Sequence, residues 1–356
     1  MDERSRPEGS LARAAVAVID APAIPGLRFR RLAGPGDYAA ITRLRQACTL
    51  EDRGDDMLTE ADVANLIENP FHTDPYRDTV LAEIDGLLAG MQWTTARVIE
   101  GTFVAGLRGY VHPAWRRRGL GRALIAHGEK HGRRNAPPEA AGLPGAWQAE
   151  AASLETGAQA LFRQRGYVPY RFAYTMTRDL ADPIPKIPLP AGIEIRPAVP
   201  DHTRAIWEAE REAFQDHPGY VPWTEENYQR FLRCPHYDRA LWRVAWDGDQ
   251  VAGMVLSFVN AEENAAFGRR RGYTEDIAVR QPWRRMGLAS ALLADSLRAL
   301  QGIGLSEAAL GVDAENPNRA LALYQRLGFG IESEWINFRR PWPADSPSTA
   351  SLEASR

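Results

Sequence analysis

The stretch TEDIAVRQPWRRMGLASALLADSL, residues 274–297, decides the fold of this chain. Two acids open a short apolar run, and a proline, three arginines and a glycine lead into residues with helical apolar spacing. We therefore predict a strand that carries Glu275, a turn that contains Gly287, and a helix with its leucines on one face. Because a helix start presents free backbone N–H groups, this turn is predicted to bind an anion.

Length and composition limit the classes of protein to consider. A chain of 356 residues favours two domains of about 150 residues over one. The net charge of −3 gives no basic surface for nucleic acid, and no apolar run approaches the ~20 residues that span a bilayer. Cys48 and Cys234 lie far apart, which favours free thiols and a cytoplasmic location. We expect neither a nucleic acid nor a membrane as partner, and composition leaves the oligomeric state unknown.

The chain repeats itself. Three pairs of segments match at separations of 162 to 168 residues, which indicates two copies of one domain. The pairs are PAWRRRGLGRALIAHGEKH (113–131) with QPWRRMGLASALLADSL (281–297), ALFRQRGYVPY (160–170) with ALYQRLGFGIE (322–332), and GLRFRRLAGPGDYAAI (26–41) with GIEIRPAVPDHTRAI (192–206).

Strand and helix patterns are mixed within each copy, which predicts the α+β class. The segment Asp247-Gly248-Asp249 lies between two apolar runs and predicts a β-hairpin. We predict a disordered tail at 1–26, a first domain at 27–180, a proline-rich linker at 181–191, a second domain at 192–341 and a polar tail at 342–356.

Both turns carry the pattern R-x-x-G-x-G/A, at residues 116–121 and 284–289. This pattern resembles the acyl-CoA signature of the GNAT N-acetyltransferase superfamily, and GVDAENPNRALALYQRLGF (311–329) resembles the second motif of that family. The resemblance covers about 27–180 and 192–341. It implies two tandem domains, each a mixed, twisted sheet flanked by helices. It also implies acetyl-CoA as co-substrate, lying where two parallel strands splay apart.

The resemblance implies which residues bind acetyl-CoA. Pantetheine would pair with the strand edge at Ile277, Ala278 and Val279, and Asn316 resembles a residue that hydrogen-bonds it. The pyrophosphate would lie on the backbone N–H groups of the turn and helix start. The residues implied at the turns and helix starts are Arg284, Arg285, Met286, Gly287, Leu288, Ala289 and Ser290 in the second copy, and Arg116, Arg117, Gly119 and Gly121 in the first.

Transfer of an acetyl group to an amine requires a base for the ammonium proton and an acid for the departing thiolate. Glu275, nine residues before Arg284, resembles the glutamate that serves as base in several amine acetyltransferases of this superfamily. Tyr324 is placed like the general acid of the family. Asp276 should face the other side of the strand, because strand side chains alternate. The alternatives are that Glu275 pairs with a surface arginine and that Tyr324 is only a packed aromatic.

The acceptor region is less specific. The segment 211–228 lies where family members bind the acceptor, and Asp216, His217 and Trp223 are its candidate substrate-binding residues. A polar loop anchored by aromatics would give the same pattern. The basic segment FGRRRGY (267–273) could attract an anion or be a solvated turn. His127 and His131 share a helical face but lack the HExxH order, so we expect no metal.

The first copy departs from the catalytic pattern, and we interpret it as a degenerate domain that supports the second. Phenylalanine retains the ring of a tyrosine but has no ionisable proton. Counted back from the glycine of each turn, Leu107 stands in place of Glu275 and Arg108 in place of Asp276. Counted along each second motif, Leu154 stands in place of Asn316 and Phe162 in place of Tyr324.

We therefore predict that the C-terminal domain moves an acetyl group from acetyl-CoA to a primary amine of a small molecule. A non-catalytic acyl-CoA-binding sensor or scaffold is the alternative. The degenerate first copy favours this alternative for the chain as a whole. Glu275, Asn316 and Tyr324 argue against it for the second copy.

Overall fold

A computed structural model describes residues 15–217, 219–316 and 320–343 of the chain. The chain divides into two compact units. Unit 1 contains the residues up to Tyr170 together with those from Asn337 onward, and unit 2 runs Arg171–Ile336. Both units mix strands and helices, as the α+β class requires.

Unit 1 is a mixed sheet with helices. Its strands pair in the order β1-β2-β3-β4-β5, antiparallel throughout except for the parallel pair β4 and β5. The strands are β1 (Leu27–Arg31), β2 (Thr79–Ile84), β3 (Leu87–Ile99), β4 (Thr102–Val111) and β5 (Gly145–Ala152). The helices are α1 (Tyr38–Glu51), α2 (Glu60–Glu68), α3 (Pro75–Asp78), α4 (Leu120–Arg134) and α5 (Thr156–Gln164).

Residues 15–26, which we call the arm, differ from the disorder expected for them. The N–H of Val16 donates to the carbonyl of Phe29 in β1 at 2.8 Å. The side chains of Val16, Val18 and Ile24 pack against a buried cluster that includes Phe29 and Leu120. Burial of these apolar side chains offsets the entropy that ordering the arm costs. Residues 1–14 of the predicted tail lie outside the described residues, as do residues 344–356 of the polar tail.

Two strands extend across the boundary between the units. The strand β6 (Val168–Asp179) follows α5, and its part in unit 2 pairs antiparallel with the strand at Glu307–Asp313, from Asp179↔Glu307 to Ala173↔Asp313. The last strand of the chain, Gly330–Pro341, lies partly in unit 2 and partly in unit 1. The bounds of the compact units therefore differ from the bounds of the sequence repeats.

Unit 2 has the same kind of sheet, with strand order β6-β11-β10-β9-β8-β7. Its strands after β6 are β7 (Ile193–Arg196), β8 (Arg243–Asp247), β9 (Gln250–Phe258), β10 (Arg271–Val279), β11 (Glu307–Asp313) and the unit 2 part of β12 (Gly330–Pro341). Its helices are α6 (Thr203–Phe214), α7 (Glu225–Leu232), α8 (Ala261–Phe267), α9 (Leu288–Gly302) and α10 (Ala320–Arg326).

Local sequence explains the elements that position the site. The predicted hairpin is confirmed, because β8 ends at Asp247 and β9 begins at Gln250, with Gly248 at a φ of 55°. The helix α9 begins directly after Gly287, and its leucines are buried in the core of unit 2. The proline-rich segment 181–191 packs the apolar side chains of Ile184, Ile187 and Leu189 on the same core.

Candidate active site

The two parallel strands of unit 2 pair only at their beginnings. Their register runs from Arg271↔Glu307 to Tyr273↔Ala309, although β10 continues to Val279 and β11 to Asp313. Past the paired residues, the Glu275 carboxylate accepts the N–H of Gly311 at 3.1 Å. A side chain thus takes the place of the backbone ladder, and the strands separate from Glu275 onward.

A β-bulge lies at the same point of β10. Glu275 is opposite Leu256 of β9 and Ala278 is opposite Met254, so β10 has one residue more than β9 here. Asp276, inside the bulge, has a φ of 47°, in the left-handed region that Asp and Asn tolerate better than most residues. A bulge re-aims side chains. Glu275 reaches β11, and Asp276 faces α6 and the loop that precedes β8.

The protonation of Glu275 is strongly perturbed. Burial and, to a lesser extent, the charge of Asp276 raise the pKa of Glu275 to about 8, and the N–H of Gly311 partly opposes this rise. Among the described residues, no arginine or lysine forms a salt bridge with Glu275, so the alternative of a surface ion pair has no support. A carboxyl with such a pKa accepts a proton readily near neutral to mildly alkaline pH.

Tyr324 lies on α10 and is only 6% exposed. Its ring packs in the core of unit 2, with its centroid 6.2 Å from that of Phe329. Burial and then the charge of Glu275 raise the pKa of Tyr324 above its ordinary value. The phenol therefore keeps its proton at physiological pH.

The turn between β10 and α9 presents free amides. Arg285 and Gly287 have left-handed backbone, with φ of 65° and 84°. The N–H of Ala291 donates to the carbonyl of Gly287 at 3.1 Å, so the amides at 288–290 precede the first helical bond. Nothing lies within 4 Å of the position that a Cβ of Gly287 would occupy. The turn therefore has both the amides and the space that an anion needs.

The guanidinium of Arg284 hydrogen-bonds to three groups of the protein. Its Nε donates to the carbonyl of Val279 at 3.0 Å, and its other nitrogens reach the carbonyl of Ala213 at 3.0 Å and the carboxylate of Asp216 at 2.8 Å. The guanidinium thus ties the end of β10 to the end of α6. Two residues predicted to bind different ligands, Arg284 and Asp216, are partners of each other.

The other acceptor candidates lie in an aromatic group at α6. The ring of Trp223 lies 6.0 Å from that of Phe214 and 6.0 Å from that of Trp207. The ring of His217 lies 5.9 Å from that of Phe214. These contacts agree with a loop anchored by aromatics. Asn316 lies just past β11, where its N–H donates to the carbonyl of Asp313 at 3.2 Å.

Sequence reasoning missed two residues of the site. Tyr237 donates its hydroxyl to Oδ2 of Asp276 at 2.6 Å. Glu210 of α6 is 3% exposed and hydrogen-bonds to Asp276. A signal for Glu210 was present, because it occupies an apolar-spaced position of α6, four residues after the buried Ile206. No local pattern marked Tyr237.

Unit 1 has no bulge at the corresponding point. Its β3 and β4 pair without a register shift from Ile99↔Thr102 to Gly90↔Val111. The strands can be matched through their antiparallel neighbours, with Val111 opposite Gly90 of β3 and Val279 opposite Gly253 of β9. Three residues along each neighbour, Arg108 then stands where Glu275 stands, and Leu107 stands where Thr274 stands. The assignment of Leu107 from the sequence count was therefore off by one residue. The bulge explains the error, because it adds one residue to β10 alone.

In unit 1, the residues that replace the carboxylate and the phenol make contacts of their own. Arg108 donates to the carboxylate of Glu150 on β5 at 2.8 Å. The ring of Phe162 packs 5.8 Å from that of Tyr167, much as Tyr324 packs near Phe329. Unit 1 thus has a cation in place of the carboxylate and an aromatic hydrocarbon in place of the phenol.

The turn of unit 1 repeats the geometry of its counterpart but is covered. Arg117 and Gly119 have φ of 64° and 89°, and Nε of Arg116 donates to the carbonyl of Val111 at 3.0 Å. Pro22 of the arm lies over Gly119, with its Cβ 3.3 Å from the position that a Cβ of Gly119 would occupy. The arm therefore fills the side of the glycine that is open in unit 2.

Of the two histidines on α4, His131 contacts a carboxylate. Nε2 of His131 lies 2.8 Å from Oδ1 of Asp78. Across residues 15–217, 219–316 and 320–343, no group of three or more His, Cys, Asp or Glu side chains could hold a metal ion. No helix in that part of the chain is both long and apolar enough to cross a membrane.

Comparison with known proteins agrees with this geometry. The model of the Acetyltransferase (GNAT) family matches residues 203–329, and that of an Acetyltransferase (GNAT) domain matches residues 75–169. A mycothiol acetyltransferase of Geodermatophilus obscurus is 30% identical over 86% of this chain and 95% of its own length. One of Salinispora tropica is 32% identical over 75% of this chain and 87% of its own length.

Solved structures show the same architecture. A GCN5-related N-acetyltransferase of Sphaerobacter thermophilus has a TM-score of 0.65 and 30% identity, covering 88% of this chain and 95% of that one. A tandem GNAT protein from the clavulanic acid biosynthesis pathway has a TM-score of 0.62 at 18% identity, covering 90% of this chain and 100% of that one, and shows the fold alone.

The fold and the paired turns define a tandem GNAT protein, and the chain belongs to the GNAT acetyltransferase family. Within that family it is an N-acetyltransferase, similar to the mycothiol acetyltransferases.

Proposed function

We propose that unit 2 transfers an acetyl group from acetyl-CoA to the primary amine of a small molecule. One observation carries the proposal: where β10 and β11 separate, burial raises the pKa of the Glu275 carboxyl, the charge of Glu275 acts on the buried phenol of Tyr324, and the turn after β10 is open to an anion. Base, acid and phosphate site are the three components that the reaction needs.

The residues present fit acetyl-CoA. The amides of Leu288, Ala289 and Ser290 would bind the pyrophosphate, and the exposed Arg285 would add positive charge. The edge of β10 at Ile277–Val279 lies beyond its pairing with β11 and would accept pantetheine as an added strand. Arg284 supports the turn through β10 and α6 rather than through the phosphates.

The chemistry follows from two side chains. Glu275 accepts a proton from the acceptor ammonium, which breaks an N–H bond and leaves a free amine. The amine attacks the thioester carbonyl, and an N–H freed by the bulge stabilises the oxyanion. As the C–S bond breaks, Tyr324 gives its proton to the departing sulfur. The nitrogen loses a second N–H proton as the amide forms, and that proton restores the phenol of Tyr324. The proton on Glu275 passes to solvent.

Several contacts favour unit 2 over unit 1 as the catalytic unit. In unit 1 the carboxylate position holds Arg108, paired with Glu150, and the phenol position holds Phe162. The glycine of its turn is covered by Pro22. We therefore propose that acetyl-CoA binds only to unit 2.

The acceptor is proposed from the relatives. Similarity to mycothiol acetyltransferases implies the cysteinyl amine of a pseudo-disaccharide thiol precursor as the acceptor to test first. Because acetyl-CoA is proposed as donor and Cys48 and Cys234 are free thiols, we propose that the protein works in the cytoplasm.

The test is amine-dependent thiol release from acetyl-CoA, followed with a colorimetric thiol reagent. The amine panel includes S-methyl-cysteine amide, which presents a cysteinyl amine without a thiol that would react with the dye. We expect release with at least one amine, lost in Glu275→Gln and retained in a matched control, Glu262→Gln on the exposed face of α8. Tight CoA binding without release for any amine would instead support a sensor or scaffold.

A further inference from the structure

One face of the sheet of unit 1 carries a half-buried arginine without a partner. Arg97 lies on β3, opposite Val104 of β4. Its guanidinium extends over the next residue of that face, Gly106, because a Cβ at Gly106 would lie 4.0 Å from Nη2 of Arg97. Nε of Arg97 is buried, and among the described residues Arg97 makes no hydrogen bond and no ion pair. A cation with free donors therefore lies over the middle of β4.

Gly106 opens this face of the sheet. It lies in the interior of β4, where the pairing with β3 has no register shift, so no bulge accounts for a glycine here. A glycine inside a strand often marks a place where another group approaches the backbone closely. By the match that sets Arg108 against Glu275, the counterpart of Gly106 in unit 2 is Tyr273, whose ring stacks on that of Phe258 at 4.9 Å. An aromatic pair thus covers in unit 2 what unit 1 leaves to a cation.

A second arginine without a polar partner lies on the same face. Gln148 of β5 is opposite Gly106, and its Nε2 donates to Oδ1 of Asn337 on β12 at 3.3 Å. Arg339 follows Asn337 by two residues, so both face the same side of the sheet. Cζ of Arg339 lies 4.4 Å from the ring centroid of Tyr170. Nε of Arg339 and Oε1 of Gln148 are both buried and have no hydrogen-bond partner.

These two guanidiniums lack a counter-charge. A charge that leaves water without a partner costs free energy. Three other half-buried arginines of unit 1 pair with a carboxylate, namely Arg30 with Asp37, Arg116 with Asp52 and Arg165 with Glu129. On the face itself, Arg108 pairs with Glu150. Neither Arg97 nor Arg339 has an ion pair within the part of the chain that the structure describes. Burial is the main cause that lowers the pKa of Arg97, and the charges of Arg108 and Arg339 lower it further.

We infer that Arg97, Arg339 and Gln148 bind a phosphate group on this face of unit 1, as the free anion or as a phosphomonoester. A phosphate group has about −1.5 to −2 charges at pH 7, which would neutralise both arginines. Guanidinium forks match phosphate oxygens, and Oε1 of Gln148 would accept a hydroxyl of the ligand. The three side chains are half-buried and so reachable from solvent. The inference does not rest on the proposed function, because it concerns no residue of unit 2.

The test observes the two arginines directly in the full chain. With isotope-labelled arginine each Nε–H gives an NMR signal, and those of Arg97 and Arg339 are identified by their loss in Arg97→Gln and Arg339→Gln. Inorganic phosphate and glycerol 3-phosphate should each shift both signals with one common Kd. Acetate, with a single charge, should bind about tenfold more weakly. Tighter binding of glycerol 3-phosphate would assign the site to a phosphomonoester, and tighter binding of inorganic phosphate to the free anion.

Each arginine should depend on the other for binding. Phosphate affinity measured at Arg97 should fall about tenfold in Arg339→Gln, because hydrogen bonds to a charged group are lost. The control is Arg134→Gln, which removes an exposed arginine of α4 and should leave the affinity unchanged. In phosphate-free buffer Arg97→Gln should melt at or above the wild-type temperature, since it removes an unpaired charge. A lower melting temperature would assign Arg97 a structural role and overturn the inference, as would signals that do not move at millimolar phosphate.

Discussion

Arg284 and Arg116, 168 residues apart, make the same hydrogen bond: each donates Nε at 3.0 Å to the carbonyl of the residue five positions earlier. Each also pairs with an aspartate just past the first helix of its unit, Asp216 and Asp52 respectively. The first arginine of the motif is thus a brace between strand and helix. The repeat preserves this brace in both units, including unit 1, where Phe162 stands in place of Tyr324.

This brace separates the roles of neighbouring arginines. Arg284→Gln should lower the free energy of unfolding by about 1–3 kcal/mol, because it removes hydrogen bonds to two carbonyls and a carboxylate. It should change the Kd for CoA by less than about twofold, whereas Arg285→Gln should raise that Kd by about 3–10-fold. Urea unfolding and calorimetric titration measure the two effects. A larger loss of CoA affinity in Arg284→Gln would contradict the bracing role.

Glu275 should set the pH dependence of the reaction. A base acts in its deprotonated form, so kcat/KM of the wild type should rise with pH through about 8, the pKa of Glu275. In Glu275→Gln this rise should disappear, and the rate near pH 8 should fall by about 10²-fold. The remaining activity should increase only as the acceptor amine itself loses its proton. A pH–rate profile identical to that of the wild type would remove Glu275 from the mechanism.

Tyr324→Phe should separate chemistry from binding. The ring packs in the core of unit 2, and unit 1 shows at Phe162 that phenylalanine fills the corresponding place. We expect kcat to fall by about 10²-fold while the Kd for CoA stays within about twofold. Steady-state kinetics and calorimetric titration give both numbers. Equal losses in kcat and affinity would assign the hydroxyl a binding role instead.

The two turn glycines offer a matched pair. Gly119 and Gly287 have similar left-handed φ, 89° and 84°, so alanine at either strains the backbone by about 1 kcal/mol. Only Gly287→Ala should abolish CoA binding, because only that turn is open. The wild type should bind one CoA per chain in calorimetry, and Gly119→Ala should keep that stoichiometry. A value of two in the wild type would show that the arm leaves unit 1 accessible.

The sequence was informative where local chemistry determines structure. The strand, the turn glycine and the leucine face of α9 follow from short-range patterns, and the repeat established the tandem architecture. The position of the bulge did not follow from a local pattern, because it depends on the register between β9 and β10, and it shifted the count from Glu275 to Leu107 by one residue. The contacts of Arg284 with Ala213 and of Asp276 with Tyr237 join segments distant in sequence, so no local pattern indicated them.

Local sequence also did not indicate that the arm is ordered. Its composition resembles a tail, but a few apolar side chains find a partner in β1 and α4. Whether a short apolar segment orders depends on the surface available to it, which the segment itself does not encode.

The course of β6 has a consequence for inheritance. Because residues 171–179 belong to unit 2 although they precede the proline-rich segment, a gene cut at that segment would encode a second half without the neighbour of β11. The duplicated halves are therefore no longer separable modules. Loss of the first copy would have removed part of the sheet of unit 2, which gives selection a reason to retain both.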